Sequence, residues 1–132
     1  MKILNPLFLM LFLLIQTNSA SAVNSETISL LEKVVLLGNQ KTPIQLTPTL
    51  TMEKLSTKDG QLTYHYKSTY SDTKDFNLAR FVKDRTEELT KQICTNASQQ
   101  IFRERKVILN YEYLDKNDVL LTIISIKAGE CK

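Results

Sequence analysis

The chain has no tryptophan, one histidine and two cysteines among its 132 residues, and each scarcity removes a class of chemistry. A structural or catalytic zinc site draws three or four ligands, mostly from His and Cys, so no metal centre is expected. A serine triad built on His65 needs its nucleophile and its acid from elsewhere in the chain, and no glycine-rich elbow marks a serine for that part. No C-x-x-C spacing points to redox catalysis. Charge of one sign is also scarce: the formal net charge is +3, and the small basic cluster Arg103, Arg105 and Lys106 is interrupted by Glu104. A nucleic-acid reader needs a stronger field, so no nucleic-acid partner is expected, and no cofactor is implied.

Two other patterns fail on inspection. The turn Asp115-Lys116-Asn117-Asp118 begins like a calcium loop, but Val119 and Leu120 stand where a ligand and the turn glycine belong, and Ile126 replaces the bidentate Glu. Turn chemistry explains these residues, because Asp and Asn bond their own backbone in tight turns. Of the carboxylates Glu53, Asp84, Glu87, Glu88 and Glu112, most fall on stretches whose phase points them to solvent. Nothing pairs two of them in a cleft, as glycoside hydrolysis requires.

What the chain does have is an export signature. Lys2 precedes an apolar run from Ile3 to Ile15, and Ser19-Ala20-Ser21-Ala22 supplies the small residues of a signal-peptidase site before Val23. Residues 1–22 are read as a signal peptide and residues 23–132 as one small α+β domain, soluble in the periplasm or secreted, with no stable membrane insertion once the signal is cut. No cysteine near the cleavage point marks a lipoprotein. In an oxidising compartment the two thiols, Cys94 and Cys131, read as one disulfide.

Along the mature segment, Ile28, Leu31, Val34 and Val35 recur at helical spacing between a candidate cap at Ser25 and a candidate stop at Gly38. The run Val34-Val35-Leu36-Leu37 also fits a buried strand. Asn39 to Pro48 reads as an extended connection. Leu50 and Met52, then Leu62, Tyr64 and Tyr66, alternate with polar residues on either side of Asp59-Gly60, a pair suited to the positive φ angles of a type I′ turn. This is a hairpin with Leu50, Met52, Leu62, Tyr64 and Tyr66 facing inward and His65 outward. After a candidate cap at Ser71 or Asp72, Leu78, Phe81, Val82, Leu89 and Ile93 fall on one helical stripe. The segment from Thr95 to Arg105 is ambiguous. Val107, Leu109, Tyr111 and Tyr113 then line one face of a strand, and Val119 to Ala128 forms a β-branched strand apolar on both sides, as a central strand would be. The expected fold is α+β: an antiparallel sheet of about four strands in two hairpins, packed by a long helix and a shorter N-terminal one.

Asn96-Ala97-Ser98 matches a glycosylation sequon. The two Tyr-x-Tyr pairs, Tyr64 with Tyr66 and Tyr111 with Tyr113, fit cross-strand stacking within the sheet. An aromatic recognition surface of Tyr64, His65, Tyr66, Tyr111 and Tyr113 is the alternative.

The order of Pro43, Thr49 and Leu50, Leu62-Thr63-Tyr64-His65-Tyr66, Cys94, Tyr111-Glu112-Tyr113-Leu114-Asp115-Lys116-Asn117 and Cys131 resembles small exported bacterial proteins of the quorum-sensing-regulated virulence-factor-like type. Its layout is also similar to the small pilotins of type II secretion. The resemblance spans about Pro43 to Cys131 and implies a non-enzymatic periplasmic or secreted protein, with no catalytic residue to carry over. Three functional classes stay open. The first is an interaction module, either an assembly accessory or an immunity-type inhibitor, bound to an envelope or secreted protein. A secreted virulence-associated factor is second and a small hydrolase third.

Overall fold

The computed structural model describes residues 24–70 and 74–132. The signal segment, residues 1–22, and the candidate caps Ser71 and Asp72 lie outside the described residues. Helix α1 (Ser25–Asn39) leads into strands β1 (Ile44–Thr47), β2 (Leu50–Lys58) and β3 (Gln61–Ser68). Helix α2 (Leu78–Thr95), a 3-10 turn (Ala97–Gln99) and helix α3 (Gln100–Glu104) follow, then strands β4 (Ile108–Leu114) and β5 (Leu120–Lys127) and a final 3-10 turn (Ala128–Glu130).

The helix ends follow local side-chain chemistry. Asn24, not Ser25, caps α1, its Oδ1 accepting the Glu26 N–H at 2.8 Å. Gly38 does not stop that helix but lies in its last turn. Asn77 caps α2 by accepting the Arg80 N–H at 2.9 Å. The ambiguous stretch after α2 resolves into the 3-10 turn and the single turn of α3. Arg103 holds them together, its Nη1 donating to the carbonyls of Ile93 at 2.6 Å and Asn96 at 2.8 Å. A cation at a helix C-terminus satisfies otherwise unpaired carbonyls and meets the negative end of the dipole.

The sheet departs from expectation in count and in direction. It has five strands, not four, in the order β1-β2-β3-β4-β5. Ile44 to Thr47, read as a connection, pairs antiparallel with β2; four residues between Pro43 and Pro48 are too few to show alternation, and prolines are tolerated at a sheet edge. The sheet is mixed, not purely antiparallel. Each hairpin is antiparallel as its turn dictates, with Asp59 and Gly60 both at positive φ (53° and 75°) between paired Lys58 and Gln61. The two hairpins, however, meet through a parallel β3–β4 ladder, Tyr64 opposite Tyr111 and Tyr66 opposite Tyr113. The long helical connection from Ser68 to Ile108 carries the chain back across the sheet, which is what a parallel neighbour requires.

Strand β5 is an edge strand. Ile124 and Ile126 are buried, whereas Val119, Leu120 and Ile123 are exposed, and the pairing shifts between Tyr113 and Leu114. A β-bulge also extends the inward face of the first hairpin beyond the expected residues. Met52 pairs with Tyr66 and Lys54 with His65, leaving Glu53 as the extra residue. The extra residue reverses the alternation, so Leu55 is buried and Lys54 and Ser56 turn outward with His65.

The helices cover one face of the sheet. Leu31 of α1, Leu89 and Ile93 of α2 and Phe102 of α3 join Leu55, Leu62, Tyr66, Leu109, Tyr111, Tyr113, Ile124 and Ile126 in one continuous core. Val34 and Val35 are partly buried against it and Leu36 and Leu37 are exposed, a helical pattern that removes the strand alternative. The Cys94–Cys131 disulfide, with Cα atoms 5.4 Å apart, ties the end of α2 to the C-terminus.

Candidate functional site

The residues singled out from sequence divide between the two sheet faces. Tyr64, Tyr66, Tyr111 and Tyr113 form a stacked row on the inner face, with ring centroids 5.0 Å apart for Tyr64–Tyr111 and 5.1 Å for Tyr66–Tyr113. The parallel register sets each ring directly opposite its partner. Burial pushes the Tyr64 hydroxyl up to about 12 and those of Tyr66 and Tyr111 higher still. The Tyr113 hydroxyl is also raised, by burial first, against the pull of Arg85. Removing water from around a phenol disfavours its anion. The row is therefore neutral at physiological pH.

One end of that row opens into a cavity of about 460 Å³. The Thr47–Leu50 turn, the end of β3 at Ser68, and Tyr70 just beyond it make one wall. The approach to α2 and its first two turns, including Phe76, Arg80, Phe81 and Arg85, make the other, and Tyr113 contributes to the lining. Phe81 stands edge-on to Tyr113 with centroids 5.1 Å apart, and Tyr70 packs edge-on to Phe76. Arg85 lies over the Tyr113 ring at 5.9 Å, donates through Nε to the Tyr113 hydroxyl at 3.3 Å and pairs with Glu88 at 2.8 Å. Asp75 and Asp84 share the lining with Arg80 and Arg85. The cleft thus has an aromatic wall and a mixed-charge rim, with both arginines supplied by α2.

Sequence periodicity identified Phe81 and Tyr113 as core positions and missed the cleft. The Arg80 and Arg85 spacing lies beside the apolar stripe of α2, but only the arrival of β1 and β2 opposite it makes a groove.

His65 stands on the opposite face, which no helix among the described residues covers. Its Nδ1 lies 2.9 Å from Glu112 Oε1, and its Nε2 lies 2.6 Å from the Ser56 hydroxyl oxygen. The His65 and Glu112 side chains retain 16% and 25% of their accessible surface. Glu112 lies on the outward face that its alternation implied, partly buried against His65. A second polar row lies beside it: Asn110 Nδ2 donates to Gln61 Oε1 at 2.9 Å, and Ser125 Oγ donates to Asn110 Oδ1 at 2.6 Å. Ser56 escaped the sequence reading because strict alternation from Met52 places it inward. Counting back from the Asp59-Gly60 turn pairs it with Thr63, on the His65 face, and was the available signal.

The basic cluster does not form one patch. Arg103 is committed to helix carbonyls, while Arg105 reaches Glu26 at 3.6 Å. Among the described residues no group of three or more His, Cys, Asp or Glu side chains is placed to hold a metal ion.

This fold is shared with proteins of known structure. A protein of Pseudomonas aeruginosa described as secreted superposes with a TM-score of 0.70 at 21% identity, over 86% of this chain and 99% of its own. The pilotin of the Vibrio vulnificus type II secretion system gives 0.60 at 13% identity, covering 83% of this chain and 98% of that one. The Vibrio cholerae type II pilotin gives 0.63 at 10% identity, covering 80% and 93%. At these identities the likeness establishes the architecture, and it agrees with the pilotin-like layout read from the sequence. No protein-family model matches the chain, and no curated protein matches it by sequence.

Proposed function

We propose that this chain is a small exported interaction module of the assembly-accessory kind, which receives a segment of an envelope protein in the cleft between α2 and the β1–β2 turn. The observation that carries this reading is the cleft itself: an aromatic-walled groove with arginines and aspartates at its rim, on an architecture shared with two secretion pilotins. Concave sites that combine apolar walls with a few charged groups are those that bind tightly enough to be selective. Aromatic and Arg side chains dominate interface energetics. The best-fitting segment presents apolar side chains to Phe76, Phe81 and Tyr70 and carboxylates to Arg80 and Arg85. Cleavage of residues 1–22 on export would free the module into the periplasm or the medium. No helix among the described residues is long and apolar enough to cross a membrane.

The test compares the mature protein with a Tyr70→Ala/Arg80→Glu variant in pull-downs from crosslinked envelopes, followed by titration of whatever is captured. The reading expects one saturable partner whose affinity falls at least about tenfold in the variant, as loss of an interface hot spot does. Equal binding by both proteins, or recovery only from the medium without a partner, would reject it; the latter outcome favours a secreted factor.

A further inference from the structure

We infer that Ser56, His65 and Glu112 form a nucleophilic serine site on the sheet face opposite the helices, one that accepts acyl groups from small esters. Its basis is independent of the cleft. The three side chains come from adjacent strands β2, β3 and β4, and their connectivity is that of a hydrolytic triad. Ser56 Oγ lies 2.6 Å from Nε2, and Nδ1 lies 2.9 Å from the Glu112 carboxylate. Nucleophile, base and orienting acid recur on unrelated folds, so the arrangement is recognised by geometry and not by chain order. The neighbouring Gln61–Asn110–Ser125 row contains no base and lacks this polarity.

The carboxylate fixes the imidazole tautomer with Nε2 unprotonated, which is the state that can take a proton from Ser56. Both backbone polar groups of Leu55 face the sheet edge, where Asn39 binds them. Antiparallel pairing repeats this direction at every second residue, so the N–H of Thr57, immediately after Ser56, faces the same edge. The amide following the nucleophile is a usual oxyanion donor. Lys54 and Lys58, two residues to either side of Ser56 on the same face, are exposed and favour esters that carry an anionic group. The site is open, and it suits short acyl chains.

In the reaction Ser56 Oγ attacks the ester carbonyl while its proton passes to His65 Nε2, forming the Oγ–C bond. Collapse breaks the bond to the leaving oxygen, which departs as an alcohol with the proton from Nε2. Water then attacks the acyl-serine, again giving a proton to Nε2. His65 returns that proton to Oγ as the acid is released. Ester and water become acid and alcohol, with no other reactant.

The test incubates the exported protein with a fluorophosphonate, which transfers its phosphonyl group to an activated serine with loss of fluoride. Intact mass and peptide mapping locate the adduct. The inference expects one adduct, on Ser56, absent in Ser56→Ala. The labelling rate should fall about 100-fold or more in His65→Gln, the scale of general-base assistance, and by less in Glu112→Gln. Melting curves of the three variants identify any that fail to fold; Ser56→Ala removes only one exposed-face hydroxyl and serves as the folded reference. A short-chain ester bearing a carboxylate should be hydrolysed by the wild type and not by Ser56→Ala. No adduct on the folded wild type, labelling spread over several serines, or equal rates in wild type and folded His65→Gln would each overturn the inference. Partner capture through the cleft should be unchanged in Ser56→Ala, so the two readings fail separately.

Discussion

Replacing Asn39 by Ala should loosen the attachment of α1 to the sheet. Beyond Met52, no strand among the described residues pairs with the outer edge of β2, because β1 pairs only as far as Ile44 opposite Met52. Asn39 stands in for the missing strand: its Nδ2 donates to the Leu55 carbonyl at 2.9 Å and its Oδ1 accepts the Leu55 N–H at 2.8 Å. The preceding residue makes this approach possible. A Cβ on Gly38 would sit 3.0 Å from Leu55 Cδ1, so the glycine lets the helix end close on the buried leucine. Two net hydrogen bonds of roughly 0.5–1.5 kcal/mol each bound the loss at about 1–3 kcal/mol. Water can reach a strand edge, which places the value near 1–2 kcal/mol, or a fall in Tm of roughly 5–10 °C for a domain of this size. Urea titration should show a lower midpoint at unchanged slope, and the Leu55 amide should lose its protection from hydrogen exchange while Leu109 keeps it. Asn39→Asp should be no better than Ala, because it retains an acceptor for the N–H but turns a second oxygen toward the Leu55 carbonyl. A midpoint unchanged by Asn39→Ala, with the Leu55 amide still protected, would refute the argument.

Three further outcomes are expected. Gly129→Ala should destabilise by about 1–3 kcal/mol, the usual range for overpacking, since its Cβ would meet Lys106 Cγ at 2.7 Å and the Lys106 backbone at 3.2 Å, where Lys106 is already at φ 52°; calorimetry of the variant decides it. Reducing Cys94–Cys131, or replacing both by Ser, should cost about 4 kcal/mol on the chain-entropy model for a separation of 37 residues, measured by denaturation with and without reductant. Alkali should unfold the protein through its tyrosines. Their folded pKa values are raised by burial, so their stabilisation is full below the ordinary phenol value near 10. It is lost as pH rises through the folded values, about 12 for Tyr64 and higher for Tyr66 and Tyr111. Tyrosinate absorbance of the row should therefore appear together with loss of circular dichroism, and a smooth ionisation of all five tyrosines near pH 10 with structure intact would contradict it.

The sequence by itself determined the local structure of this protein. Period and turn chemistry marked α1, the stripe of α2, the Asp59-Gly60 hairpin and the inward residues Leu109, Tyr111 and Tyr113, because each depends on contacts within a few residues. Two cysteines left one intramolecular pairing. Tertiary structure decided what depends on distant partners. The direction in which the two hairpins meet, the pairing of β1 and the edge position of β5 follow from how a long helical connection returns across the sheet, and no local pattern encodes that return. A single extra residue at Glu53 moved Leu55 into the core and Ser56 to the face of His65. That shift joined a serine, the lone histidine and a glutamate, which lie 9 and 47 residues from that histidine in sequence. The cleft arose in the same way, from a helix face and a turn whose residues carry no mark of a site until packing sets them opposite each other.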